Sequence, residues 1–238
     1  MTIYNLLMPE WGFVRQMARP FPGVVIAIYI WHGVSETIFE MPALRMKNSK
    51  TKNIAVAFVH DSGALLLSLA VLASDPGIQI GGPNSARQLA VLNSSLGYFL
   101  ADGVYWVGDG IKNGKWNTRM LSHHALCVAG IVSCWVSGRG AGDLHLGMVL
   151  MHLSSPFGYA RYFAKEFGLE HLPWAQACAG LYLATKLIAI LLLSPPVVLL
   201  MILSRDNALV IKLCGVGILL INLAWLHTTA VKQRDYTI

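Results

Sequence analysis

His123 and His124 stand side by side near the start of an apolar run, one predicted helix after Asp102. An imidazole exchanges a proton near neutral pH, so it serves as general base or as nucleophile. Adjacent residues on a helix point about 100° apart. One imidazole can therefore face a substrate while the other meets a neighbour. Asp102 on the preceding antiparallel helix can fix the tautomer of one of them and raise its basicity. These three are the catalytic candidates. His60-Asp61, His152, Lys186 and Asn222 lie inside other apolar runs and are candidates for holding a substrate. A single histidine in an apolar run is more often a packing residue, which is the reading for His32 and His227. Glu36 and Arg119 mark membrane boundaries, and Trp11, Trp31, Trp106, Trp116 and Trp225 fall near span ends, as an aromatic belt requires.

The elements that position these groups must lie in lipid. Of 238 residues 55% are hydrophobic and only 13% charged, with mean hydropathy +0.55. A soluble domain carries about 25% charged residues. The deficit excludes disorder, a DNA-binding module and an ordinary cytosolic enzyme, and predicts an all-α, polytopic transmembrane bundle. Runs of roughly 17–25 apolar residues fall at 21–39, 54–73, 89–107, 120–137, 143–159, 175–203 and 208–230. These predict about seven spans forming one domain over 21–230. An interfacial segment at 1–20 precedes it, and a short cytoplasmic tail at 231–238 follows. Ser137-Gly138-Arg139-Gly140-Ala141 reads as a tight turn between antiparallel helices. Pro195-Pro196 predicts a kink, or an end with an interfacial continuation, in the long sixth run. The N-terminal segment lacks the order of a cleavable signal, so the first span is expected to be an uncleaved anchor.

Orientation follows from the basic residues. With the N-terminus on side A, that side carries Arg15, Arg19, Arg87, Arg139 and Arg205. Side B carries Arg45, Lys47, Lys50, Lys52, Lys112, Lys115, Arg119, Arg161, Lys165, Lys232 and Arg234. The bias makes side B cytoplasmic. At 1.5 Å per residue, His60-Asp61 lie about 10 Å into span two from side B, and Asp102 about 8 Å from the side B end of span three. His123-His124 lie about 5 Å, and His152 about 10 Å, from side B, while Lys186 is about 16 Å into span six. Asn222 and His227 fall in the side B half of span seven, as His32 and Glu36 do in span one. Buried charge is costly in hydrocarbon and faces an interior cavity. The expectation is a polar-lined, lipid-sized cavity open to the cytosol and closed towards side A. His145, near the side A end, is the exception.

Other chemistries are less well supported. The net charge of +6 sits between apolar runs, where it meets anionic headgroups, so no nucleic-acid partner is expected. Cys127, Cys134, Cys178 and Cys214 have neither zinc nor disulfide spacing and read as small buried residues. No metal is expected. Adjacent His123 and His124 cannot readily share one ion, and His145 and His152 would lie about 10 Å apart along one face.

Five motifs in order carry a family resemblance. Gly97-Tyr98-Phe99-Leu100-Ala101-Asp102 resembles the Tyr-x-x-x-Asp signature of the TLC-domain family, which includes the ceramide synthases. Ser122-His123-His124 resembles its double-histidine motif. Leu153-Ser154-Ser155-Pro156-Phe157 with Arg161-Tyr162-Phe163, and the closing Leu220-Ile221-Asn222-Leu223-Ala224-Trp225, are similar to stretches of its smaller members. His60 also fits the pattern. The resemblance implies a multi-spanning bundle, usually in the endoplasmic reticulum, around a lipid-sized cavity. In the synthases acyl-CoA delivers its chain there, and the histidine pair supports acyl transfer to an amine. Where the synthases carry acids before the double histidine and after the next histidine, this chain has Trp116-Asn117-Thr118 and Leu153-Ser154-Ser155-Pro156. It therefore resembles the small TLC-domain proteins more closely.

Three readings stay open at this stage. The first is an acyl-CoA-dependent acyltransferase with acyl-CoA as co-substrate and no bound cofactor. The second is a protein that binds or regulates membrane lipids without chemistry, and the third is a structural subunit with protein partners in a large membrane complex. The endoplasmic reticulum is the expected membrane, a mitochondrial or other organelle membrane the alternative.

Overall fold

The computed structural model describes residues 21–45, 47–75 and 78–234. The expected interfacial segment at 1–20 and the final residues 235–238 lie outside them. Among the described residues the chain is helical, with no strand. Its elements are α1 (Phe21–Glu40), α2 (Pro42–Arg45), α3 (Ser49–Ser74), α4 (Ala86–Asn113) and α5 (Thr118–Ser137). There follow α6 (Ala141–His152), α7 (Ser155–Glu166), α8 (Pro173–Leu187), a π-helical segment Ile188–Leu193, α9 (Ser194–Leu203) and α10 (Leu209–Arg234). Outward-facing Leu66, Leu192, Leu203 and Leu220 are each at least 60% exposed, whereas five of the eight histidines are buried. That inversion suits a bundle whose solvent is lipid.

Local chemistry sets the helix ends. Asn48 accepts from the Thr51 amide at 2.9 Å to start α3, and Ser85 and Gln88 form a reciprocal capping box at the start of α4. α4 ends on Gly114 and α5 on Gly138, both with positive φ, which lets each helix stop within one residue. Close contact also has a local cause. A side chain at Gly97 would put its Cβ 2.6 Å from that of Ala27, so the glycine allows α1 to lie directly on α4.

Five helical stretches, those containing α1, α3, α5, α8–α9 and α10, are long and apolar enough to cross a membrane. The remaining two expected spans differ in kind. α4 is a 28-residue helix that buries Gln88, Ser95 and Asp102, so its average hydropathy is low. The fifth run, expected to be one helix over 143–159, is two helices of 12 residues broken at Leu153-Ser154. Pro156 has no N–H to give the His152 carbonyl, so α6 cannot continue. Each piece is about 18 Å long, so neither alone matches the roughly 30 Å of hydrocarbon in a bilayer. α6 contacts α3, α4, α5, α7, α9 and the π segment, which makes it the centre of the bundle. The expected kink at Pro195-Pro196 takes the form of the π segment: the Ser194 amide and hydroxyl both donate to the Ala189 carbonyl, five residues back.

The loops assigned to one side by alternating spans are bonded to one another. On side A, Asp143 accepts from the Gly81 amide (3.1 Å) and from Asn207 Nδ2 (2.6 Å). Asn84 bridges Cys134 O and the Ala141 amide, and Arg139 reaches Gly81 O and Asp206. His145 is fully buried between Ser68 Oγ and Gln88 O, both at 3.0 Å, which gives this exception a clamping place. On side B, Lys47 donates to the Glu166 carbonyl at 2.9 Å.

Candidate functional site

α3, α4, α5, α7, α8, α10 and the C-terminal end of α6 surround a cavity of about 580 Å³. Exposed Arg161 and Lys165 stand at its side B rim. Its inner wall carries His123, His124, Asp102, Asp61, His152, Lys186 and Asn222. The break between α6 and α7 shapes this space, because His152, Ser154, Ser155 and Tyr159 line it where one continuous helix would otherwise run. A second, apolar space of about 90 Å³ adjoins the first and shares Phe99, Met151, His152 and Asn222 with it.

Two carboxylates organise the polar wall. Asp102 Oδ1 accepts from Asn53 Nδ2 at 2.7 Å, and its Oδ2 from the indole of Trp106 at 2.9 Å. His124 Nε2 lies 3.3 Å from the same Oδ2. This geometry directs Asp102 at one nitrogen of His124, while His124 Nδ1 is buried with no hydrogen-bond partner. The bare face of Gly103 borders that atom: a Cβ there would sit 3.8 Å from it. His123 touches Cys127 Sγ at 3.8 Å through Nε2 and packs on the Trp225 ring, and its Nδ1 is also unpartnered.

Asp61 is the second centre. His60 Nδ1 lies 3.0 Å from its Oδ1, and its Oδ2 takes the Tyr159 hydroxyl at 2.7 Å with His152 Nδ1 at 3.4 Å. His60 does not reach the cavity. It stacks on Tyr98 with ring centroids 3.7 Å apart, behind Asp61. His152 Nε2 has no partner although only 4% of the residue is exposed. Lys186 Nζ donates to the Tyr182 hydroxyl at 2.7 Å and lies over the Trp225 ring. Asn222 donates to the Ile218 carbonyl of its own helix.

The structure thus brings seven of the eight singled-out residues onto one wall, with His60 immediately behind. His32, Glu36 and His227, expected at the same depth, are exposed on α1 and α10 and do not line the cavity. Depth alone did not separate them, because a helix at one depth presents both lipid-facing and interior sides. Three tryptophans read as belt residues have other places. Trp106 binds Asp102, Trp225 lines the cavity, and Trp31 is buried, donating to Ser94 O at 2.9 Å. Trp116 is exposed, as a belt residue would be, and Trp11 lies outside the described residues. Asn53, Tyr159 and Tyr182 went unremarked, and Tyr98 entered only as part of a motif. Asn53 and His60 are spaced i, i+7, and Tyr98, Asp102 and Trp106 are spaced i, i+4, which are the available signals. The four cysteines form no disulfide.

The TLC-domain family model matches residues 50–229, which is most of the chain and includes every residue of this wall. The chain belongs to the TLC-domain family. The matched TLC domain comprises α3 to α10 except their outermost residues, while α1 lies before it and packs along α4. No solved structure matches the chain. A TLC domain in a bundle of this kind makes the chain an integral membrane protein with a lipid-related role.

Proposed function

We propose that this TLC-domain protein is an acyl-CoA-dependent lipid acyltransferase of the endoplasmic reticulum membrane, with its cavity open to the cytosol. The observation that carries the reading is the pair of unpartnered buried nitrogens, Nδ1 of His123 and Nδ1 of His124, beside a carboxylate held by Asn53 and Trp106. Buried polar atoms are almost always bonded, so such atoms mark a place for a ligand.

In this reading the acyl chain lies in the main cavity with its end towards the adjoining apolar space, and the CoA headgroup stays at the Arg161–Lys165 rim. His124 Nδ1 removes the proton from the acceptor's amine or hydroxyl as that atom attacks the thioester carbonyl. Asp102 stabilises the imidazolium that forms. Lys186 and Asn222 hold the carbonyl oxygen as it gains charge. Collapse breaks the carbon–sulfur bond, and the imidazolium returns its proton to the departing thiolate. His123 shapes the second wall of the site, and Asp61 and His152 lie against the acceptor headgroup.

The test is mass-spectrometric product analysis of purified protein given long-chain acyl-CoA and a panel of amine and hydroxyl lipids. An acylated product is expected, and His124→Ala should lower its rate about 10²–10⁴-fold with folding unchanged. No product from well-folded protein, with lipid bound in the cavity, would instead favour a lipid-holding role. Stoichiometric co-purification with partner chains and silent histidine substitutions would favour a scaffold.

A further inference from the structure

Acyl transfer as described makes no chemical use of Asp61, although three side chains converge on it. His60, Asp61 and His152 each offer one ligand atom, and these atoms all lie within 4.8 Å of one another. The two measured separations, 3.0 Å from His60 Nδ1 to Asp61 and 3.4 Å from His152 Nδ1 to Asp61, are informative. Donors bound at about 2.0–2.2 Å in a tetrahedral shell stand roughly 3.3–3.6 Å apart, so the His152–Asp61 pair has that spacing and the His60–Asp61 pair, on the other carboxylate oxygen, would open by a few tenths of an ångström. Sequence spacing could not show this trio. Adjacent His60 and Asp61 belong to α3, and His152 is the last residue of α6, carried to them by the packing of those two helices.

We propose that His60, Asp61 and His152 form a divalent transition-metal site in the cavity wall, with one coordination position open to the cavity. Two imidazoles and one carboxylate suit zinc or ferrous iron rather than calcium or magnesium, which prefer all-oxygen shells. Three protein donors with a fourth position facing a cavity is the pattern of a reactive site, not of a closed structural one. Asp61 and His152 line the cavity, and so does Tyr159, whose hydroxyl bonds to Asp61. The site is also pre-organised: His60 is clamped by its stack on Tyr98 and by the edge of Trp31, with centroids 5.4 Å apart.

A further observation points the same way. His60 and His152 are each more than nine-tenths buried, and both turn Nδ1 towards Asp61. Both rings therefore present the same nitrogen to one carboxylate.

The site stands independently of acyl transfer and is tested by binding. Full-length, tag-free protein in detergent is treated with chelator, returned to buffer and titrated with Co²⁺, then analysed for cobalt and zinc content. About one ion per chain is expected, with a visible ligand-field absorption that Zn²⁺ abolishes by displacement. Asp61→Asn and His152→Ala should each weaken binding about 100-fold or more, while His124→Ala binds as the unaltered chain does. Less than about a tenth of an ion per unaltered chain would overturn the site whatever the variants do. So would binding that persists in Asp61→Asn or is lost equally in His124→Ala.

Discussion

Asp102 is held by two donors that do no chemistry themselves. Asn53 saturates one oxygen and Trp106 shares the other with His124, so the carboxylate cannot turn away from the imidazole. If the proposed transfer holds, Trp106→Phe removes one donor and keeps the aromatic bulk. It should lower kcat about 10-fold or more and leave KM for acyl-CoA nearly unchanged, since a hydrogen bond to a charged group contributes about 1.5–3 kcal/mol. Asp102→Asn should cost more, about 10²–10⁴-fold, because it also removes the charge that steadies the imidazolium. Steady-state kinetics on both variants reads the split. Equal losses in kcat and KM for Trp106→Phe would mean that the indole serves binding rather than positioning.

Among the helices, the break between α6 and α7 does most to create the cavity. It rests on a single missing donor: Pro156 cannot bond the His152 carbonyl, so the chain turns at Leu153-Ser154 and opens the wall there. Pro156→Ala restores that N–H. The expected outcome is a helix continuous through this point, with thermal stability in detergent equal or higher and turnover reduced at least 10-fold. Melting and turnover measured together would check this. A variant that melts lower and keeps full turnover would show that the break is held by packing against α3 and α8, not by the proline.

Taken as a whole, the molecule has one tied end and one open end. Side A is laced by Asp143, Asn207, Asn84 and Arg139, whereas the side B rim holds exposed Arg161 and Lys165 over the cavity. Together with the basic bias of the side B loops, this predicts which face meets the cytosol. In sealed microsomes a membrane-impermeant maleimide should label Lys115→Cys directly, and Arg205→Cys only after permeabilisation. The reverse pattern would turn the cavity towards the lumen and remove cytosolic acyl-CoA as its co-substrate.

The amino-acid sequence by itself determined what depends on composition and on short-range spacing. Low charge and long apolar runs require lipid as solvent, and motif order marks the TLC domain. The i, i+4 step from Tyr98 to Asp102 and the His123-His124 pair place chemistry on two neighbouring helices. Their depth followed from the rise per residue. What it left undecided depends on rotation and on long-range contact. The outward faces of His32 and His227, and the inward turn of Trp31, Trp106 and Trp225, depend on which side of each helix its neighbours cover. The meeting of His152 with His60 and Asp61 joins residues from α6 and α3. The break at Pro156 was hidden because an apolar run reads alike whether it holds one helix or two. Only the packed bundle, in which α6 touches six neighbouring elements, decides those matters.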